Sequence, residues 1–221
     1  MKKIHLTAKD GIKIIADVYE KNNAIGWLVL VHMMPATKES WQDFAPEAQE
    51  AGYGSIAIDL RGHGESDGGP DGFLKFSDKE HQNSIFDLEA GVKYLIEEKK
   101  AIAEKIYFIG VSIGANLALQ YIAENQEFRK AVLLSAGLDY RGIKTEPLAQ
   151  KLKKGQEVLF VAAKDDERSD GNNVEMNQRL FELTPIGVGK EIKIYETGGH
   201  GTDIMENHPE LKGSIISFLK K

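Results

Sequence analysis

The chain has 221 residues, 42% hydrophobic and 28% charged, enough for one domain with a full core. Its net charge of −6 argues against a nucleic-acid surface, and the absence of cysteine excludes disulfides, thiolate metal sites and a cysteine nucleophile. Met1 to Asp10 opens with Lys2 and Lys3 and has no apolar stretch behind them, unlike a secretory leader, and no apolar run approaches the roughly 18 residues that cross a bilayer. The expectation is a cytoplasmic protein without a membrane or nucleic-acid partner; its oligomeric state is not encoded in any visible pattern.

In chain order, Lys2 to Thr7 and Ile12 to Tyr19 are β-like runs joined through Lys9-Asp10-Gly11, a hairpin signal. Trp27 to Val31 is continuously apolar, as in a strand buried on both faces of a parallel sheet. It exits into His32-Met33-Met34-Pro35, and a helix is expected over 41–51. Ser55 to Asp59 is the next strand. A loop rich in Gly, Asp and Pro leads to a long helix expected over 80–99. Ile106 to Ile109 is the central strand, followed by a helix to Glu124. Then come strand Ala131 to Ser135, a short helix over 147–153, strand Glu157 to Ala162, helix Val174 to Leu183, strand Glu191 to Tyr195 and a terminal helix over 209–219. Strand and helix alternate throughout, which predicts an α/β domain: a mostly parallel central sheet, helices on both faces and an antiparallel N-terminal hairpin. No repeat or linker divides residues 1–221. In such sheets ligands bind at the carboxyl ends of the strands.

One of those ends carries Gly110-Val111-Ser112-Ile113-Gly114. Ten serines and 22 glycines in 221 residues give roughly 0.1 chance matches to Gly-x-Ser-x-Gly. A strand before it and a helix after it sharpen the signal. At a tight strand-to-helix turn the hydroxyl stands clear of the sheet, beside N–H groups that favour negative charge. Glycines suit a strained turn that passes close to neighbouring backbone.

A serine hydroxyl is a weak nucleophile and needs a base, which needs an orienting acid. Of the six histidines, His200 follows the last strand in Gly198-Gly199-His200-Gly201, where glycines let the loop fold tightly. His5 belongs to an edge hairpin, His81 to an expected solvent face, and His208 to a helix start. His32 and His63 leave strand ends and are expected to tie loop backbone beneath the site. The acid should follow a strand between Ser112 and His200. Asp165 and Asp166 both qualify, and successive side chains on an extended segment point apart, so at most one faces His200. Asp139 is the remaining candidate. Two backbone donors must hold the oxyanion of a tetrahedral intermediate. One is the N–H of Ile113. The other belongs to Met34 or Met33, because Pro35 has none.

Together these residues resemble the α/β-hydrolase superfamily, in particular small bacterial serine esterases without a large cap domain. The order Ser112, Asp166, His200 is that superfamily's order. Gly110 to Gly114 resembles its nucleophile elbow, and Asp59-Leu60-Arg61-Gly62-His63-Gly64-Glu65-Ser66 is similar to the Asp-x-Arg-Gly-x-Gly-x-Ser loop of many bacterial members. The resemblance implies Asp166 as the acid, since Ala163-Lys164-Asp165-Asp166 matches the Gly-x-x-Asp turn with alanine in the glycine position. It implies Met34 as the second oxyanion donor. His32-Met33-Met34 departs from the usual His-Gly-x, and the bulky Met33 is expected to narrow the pocket.

Short loops imply a minimal cap. Phe73 and Phe76 are expected to overhang the nucleophile, with Leu138, Tyr140 and Ile143 on the opposite wall of a shallow apolar pocket. The resulting expectation is a serine hydrolase (a carboxylesterase) acting on a small-molecule, short-chain ester through an acyl-enzyme. Thioester, acyl-transfer or amide chemistry on the same machinery, and a non-catalytic binding role, are the alternatives. No cofactor and no metal are expected: His-Glu-x-x-His is missing, and serine stands where a halide- or epoxide-type mechanism wants a carboxylate.

Overall fold

The structure is a computed structural model that describes residues 1–168 and 171–221. It opens with strands β1 (Lys2–Thr7), β2 (Lys13–Tyr19) and β3 (Gly26–Val31), then helix α1 (Phe44–Glu50) and strand β4 (Tyr53–Ile58). Helices α2 (Asp78–Gln82) and α3 (Ile85–Glu97) lead to the central pair β5 (Ile106–Val111) and α4 (Ile113–Glu124). Strand β6 (Lys130–Leu134) is followed by a small hairpin, β7 (Asp139–Tyr140) and β8 (Ile143–Lys144), and by α5 (Thr145–Lys151). After β9 (Glu157–Ala163) comes a second small hairpin, β10 (Glu167–Arg168) and β11 (Gly171–Asn172), then α6 (Asn173–Leu183), β12 (Gly189–Tyr195), α7 (Thr202–Asn207) and α8 (Glu210–Lys220).

Eight strands form one sheet in the order β1-β2-β4-β3-β5-β6-β9-β12. The β1/β2 and β2/β4 pairs are antiparallel and the other five are parallel. The sheet has a layer on each face because strand side chains alternate. Trp27, Val29, Val31, Ile106 and Phe108 pack with Leu88, Leu95, Leu117, Leu148 and Leu180 of α3 to α6. Leu28, Leu30, Ile109 and Val111 pack with Phe44, Ala48, Ile204, Ile215 and Phe218 of α1, α7 and α8. Strands apolar on both faces are what a doubly covered parallel sheet requires. Among the described residues no helix is long and apolar enough to cross a membrane.

Several predicted bounds are corrected. The helix expected over 41–51 starts at Phe44, because Lys38–Trp41 is a separate 3₁₀ turn. The helix expected over 80–99 is two helices, α2 and α3. Ser77 caps α2 with a reciprocal Ser77–Glu80 box, and the chain breaks at Asn83–Ser84. The break matters for His81. Placed on a solvent face by the sequence, it is instead buried, edge-on to Phe76 with ring centroids 5.5 Å apart. Burial there pulls its pKa down.

Candidate active site

The elbow takes the shape its glycines permit. Ser112 sits at φ 55°, ψ −119°, between the end of β5 and the start of α4, and makes no capping bond to its own helix. A Cβ on Gly110 would fall on the carbonyl oxygen of Gly114, and one on Gly114 would come within 2.5 Å of Val31 O and 2.6 Å of His32 O. Both positions therefore need glycine to let strand, helix and the turn after β3 meet.

His200 lies in the loop after β12, and that loop is pinned on both sides of it. The N–H groups of Gly198 and Gly199 donate to Asp165 at 3.1 and 3.0 Å, and the N–H of Gly201 donates to Ser135 Oγ at 2.8 Å. Nδ1 of His200 donates to Asp166 Oδ2 at 2.6 Å. That carboxylate is almost wholly buried (1% exposed), and its other oxygen accepts from Arg168 Nε at 3.0 Å. The two neighbouring aspartates diverge because Lys164 and Asp165 form a turn after β9, closed by the Asp166 N–H on Ala163 O at 3.2 Å: Asp166 faces the imidazole and Asp165 braces the loop. Hydrogen bonds from Gly199 and Gly198 hold the Asp165 carboxyl below the usual carboxylate range. Asp139 stands on the rim at β7.

Ser112, Ile113, Met33, Met34, Pro35, Tyr140 and His200 line one cleft of about 830 Å³. Its remaining walls carry Asp78, Asp139, Arg141, Arg168 and Asp203. The expectation of an apolar pocket is therefore corrected: the floor is apolar and the rim is charged. Four expected lining residues are elsewhere. Phe73 is buried, stacked on His63 with centroids 4.3 Å apart, and Phe76 packs on His81, so both cover the Arg61-to-Gly64 loop rather than the nucleophile. Leu138 packs against the core and Ile143 is part of it, because the β7–β8 hairpin turns these side chains inward and leaves Tyr140 at the cleft. The Tyr140 ring stands edge-on to His200 at 6.5 Å.

Beneath the turn after β3, His32 is fully buried. Its Nε2 accepts from the N–H of Leu60 at 3.0 Å, which leaves the proton on Nδ1, donating to Met33 O at 2.8 Å. Burial drives its pKa down to about 3, with the nearby His63 adding to the effect, so it stays neutral. His63 Nδ1 donates to Arg61 O at 3.0 Å. Both histidines tie loop backbone, as the sequence suggests. Asp59 accepts from the Lys38 N–H at 2.7 Å, Lys38 Nζ at 3.0 Å and the Glu65 N–H at 3.0 Å. Arg61 pairs with Asp87 at 2.7 Å.

Sequence reasoning missed Arg168, Ser135, Arg141, Asp78 and Asp203. For Arg168 a signal existed: residues two apart on extended chain share a face, so Arg168 should lie on the side of Asp166. Ser135 has φ 53° at the end of β6, and nothing local in the sequence marks it as a partner for a loop 66 residues away. Among the described residues, no group of three or more His, Cys, Asp or Glu side chains could hold a metal ion.

The fold agrees with what the chain is similar to. Residues 26–180 match the family described as alpha/beta hydrolase fold, and the chain belongs to it. A non-heme chloroperoxidase, CPO-A1 of Kitasatospora aureofaciens, is 28% identical over 134 residues, 59% of this chain and 42% of that protein. The chain thus matches under half the length of this curated relative. The esterase Pf2001 of Pyrococcus furiosus superposes with a TM-score of 0.81 at 22% identity, over 99% of this chain and 91% of that one. The esterase RhEst1 of Rhodococcus sp. ECU1013 superposes with a TM-score of 0.76 at 18% identity, over 100% and 99%. Likeness at these identities establishes the fold.

Proposed function

We propose that the protein is a serine hydrolase of carboxylic esters with short acyl chains, working through an acyl-enzyme on Ser112. The observation that carries this reading is the 2.6 Å contact of His200 Nδ1 with Asp166, on the wall of the cleft that also holds Ser112. With Nδ1–H held by the carboxylate, Nε2 is the basic nitrogen. It takes the Ser112 proton as Oγ attacks the acyl carbon. The same proton passes to the alcohol oxygen as the C–O bond breaks. Water, deprotonated by His200, then attacks the acyl carbon and releases the acid and the serine hydroxyl.

The N–H groups of Ile113 and Met34 hold the oxyanion in this scheme, since both residues border Ser112 in the cleft and lie at the ends of β5 and β3. The acyl group rests on Met33, Met34 and Ile113, and the alcohol faces the charged rim. Esterases among the proteins of the same fold are consistent with this choice of bond. The test is turnover of p-nitrophenyl acetate, butyrate and octanoate by the wild type and Ser112→Ala. The expected loss is about 10⁴-fold or more, with short chains preferred. Equal rates in the two proteins would sink the assignment, and a fluorophosphonate probe that labels wild type but not the variant would locate the nucleophile.

A further inference from the structure

Asp166 is a buried carboxylate, and a neutral imidazole alone is a poor partner for a charge withdrawn from water. Its second oxygen is met not by a neutral donor but by a guanidinium, Arg168 Nε at 3.0 Å. Arg168 reaches it from β10 without being buried itself: its side chain is 44% exposed and lines the cleft. The strand that carries it is fixed from its partner β11, where Asn172 donates to Lys164 O at 3.1 Å and caps α6 through the N–H of Val174 at 2.9 Å. A single acid therefore has one oxygen on the cation and the other on the base.

That arrangement has two consequences. A carboxylate held at one oxygen cannot swivel, so the other stays on Nδ1 of His200. The guanidinium also offsets the charge of the buried carboxylate, so Asp166 keeps its place without depending on the imidazole alone. Resting on the acyl-enzyme reading above, we propose that Arg168 is a positioning residue of this site: it orients Asp166 toward His200 and so fixes the tautomer and placement of the imidazole. Other charged or titratable groups around His200 are Asp139, Tyr140 and Arg141 of the β7–β8 hairpin, Asp78 of α2, Asp203 of α7 and Asp165 beneath the loop. They remain in place when Arg168 is changed, so a difference between variants isolates Arg168.

The experiment compares wild type, Arg168→Gln, Arg168→Met, Arg168→Lys, Asp166→Asn, the Asp166→Asn/Arg168→Gln double variant and Ser112→Ala. For each, kcat and KM on p-nitrophenyl acetate are measured separately, and the low-field Nδ1 proton resonance of His200 is recorded. Removing the guanidinium should free the Asp166 carboxylate to turn and so loosen its bond to His200 Nδ1. It should lower kcat about fivefold to twentyfold with KM nearly unchanged, and shift the low-field resonance. Lysine should restore kcat and the resonance, and the double variant should be no worse than Asp166→Asn alone. Two removal variants guard against one that misfolds. An unmoved kcat and resonance in the removal variants, or a full further loss in the Asp166→Asn background, overturns the proposal. Ser112→Ala with undiminished activity would instead overturn the acyl-enzyme reading, and the resonance would still report on Arg168.

Discussion

Two polar clusters sit at the carboxyl ends of the same sheet, built from the same kinds of residue. Under the β3 and β4 exits, His32, Lys38, Asp59, Arg61 and Asp87 are buried and tied to backbone or to one another. Burial alone would discharge Lys38, but hydrogen bonds to Glu39, Glu65 and Asp59 carry its pKa above the usual ammonium range. Under the β5, β9 and β12 exits, Asp166 is buried in the same way, but His200 and Ser112 border open cleft. A histidine bonded at both nitrogens, as His32 is, has nothing left for a substrate. One bonded at Nδ1 and bordering a cleft has a basic nitrogen to offer. What separates the two clusters is thus which side chains border the cleft, not which residue types are present.

If that contrast is right, perturbing the two clusters must damage different observables. Asp166→Asn should leave the fold standing and lower kcat by roughly 10³–10⁴, because the amide favours the wrong imidazole tautomer. Steady-state kinetics beside a thermal melt check it; a loss under tenfold would break the comparison on the catalytic side. Lys38→Met should do the reverse. It leaves the buried Asp59 carboxylate (0% exposed) without its cation, a change of about 3–5 kcal/mol in unfolding free energy. Turnover of the folded fraction should change little. Urea unfolding followed by circular dichroism reads the first quantity and active-site titration the second.

A smaller effect sharpens the scaffold side through pH. The folded state keeps His32 neutral down to about pH 3, whereas the unfolded chain protonates it near the ordinary value of 6.5. Between those values the unfolded state binds more protons, so stability is full above 6.5 and is lost as the pH falls toward 3. From pH 7 to pH 5 the contribution is about 2 kcal/mol, at about 1.4 kcal/mol per pH unit. Urea midpoints of wild type should fall over that interval more steeply than those of His32→Gln. Parallel slopes would show that His32 is not held neutral.

The parts of this molecule legible in the sequence are those whose cause is local. Alternation and apolar runs located the strands, and Gly-x-Ser-x-Gly located the elbow, because a strained turn admits few residues. Asp166 over Asp165 came from the resemblance of its turn, and geometry places it on His200. The wrong expectations concern side chains whose direction is set by the path of an irregular loop or hairpin rather than by a periodic pattern. Phe73 and Phe76 sit in a loop of the right length to cover the nucleophile, yet His63 and His81 offer them buried surfaces to stack on. Leu138 and Ile143 are apolar and near a strand exit, but a two-residue hairpin decides which way they face. The Ser135 to Gly201 bond joins residues 66 positions apart, and no local pattern encodes it.

The smallest expected effect is the most discriminating, because it compares adjacent aspartates. Asp165 accepts from the Gly198 and Gly199 N–H groups with its two oxygens, and those bonds keep it ionised to lower pH than an ordinary carboxyl. Asp165→Asn retains one acceptor oxygen and replaces the other with a donor, so one of the two glycine N–H groups loses its partner. The loop can then loosen on the side that precedes His200, while Gly201 stays on Ser135 and Nδ1 stays on Asp166. The imidazole keeps its tautomer and loses only part of its placement. The expected cost is under about tenfold in kcat/KM, with the pH profile unshifted, against the thousandfold class of loss for its neighbour. Should Asp165→Asn prove as damaging as Asp166→Asn, the loop brace rather than the Asp166 carboxylate would be what limits catalysis.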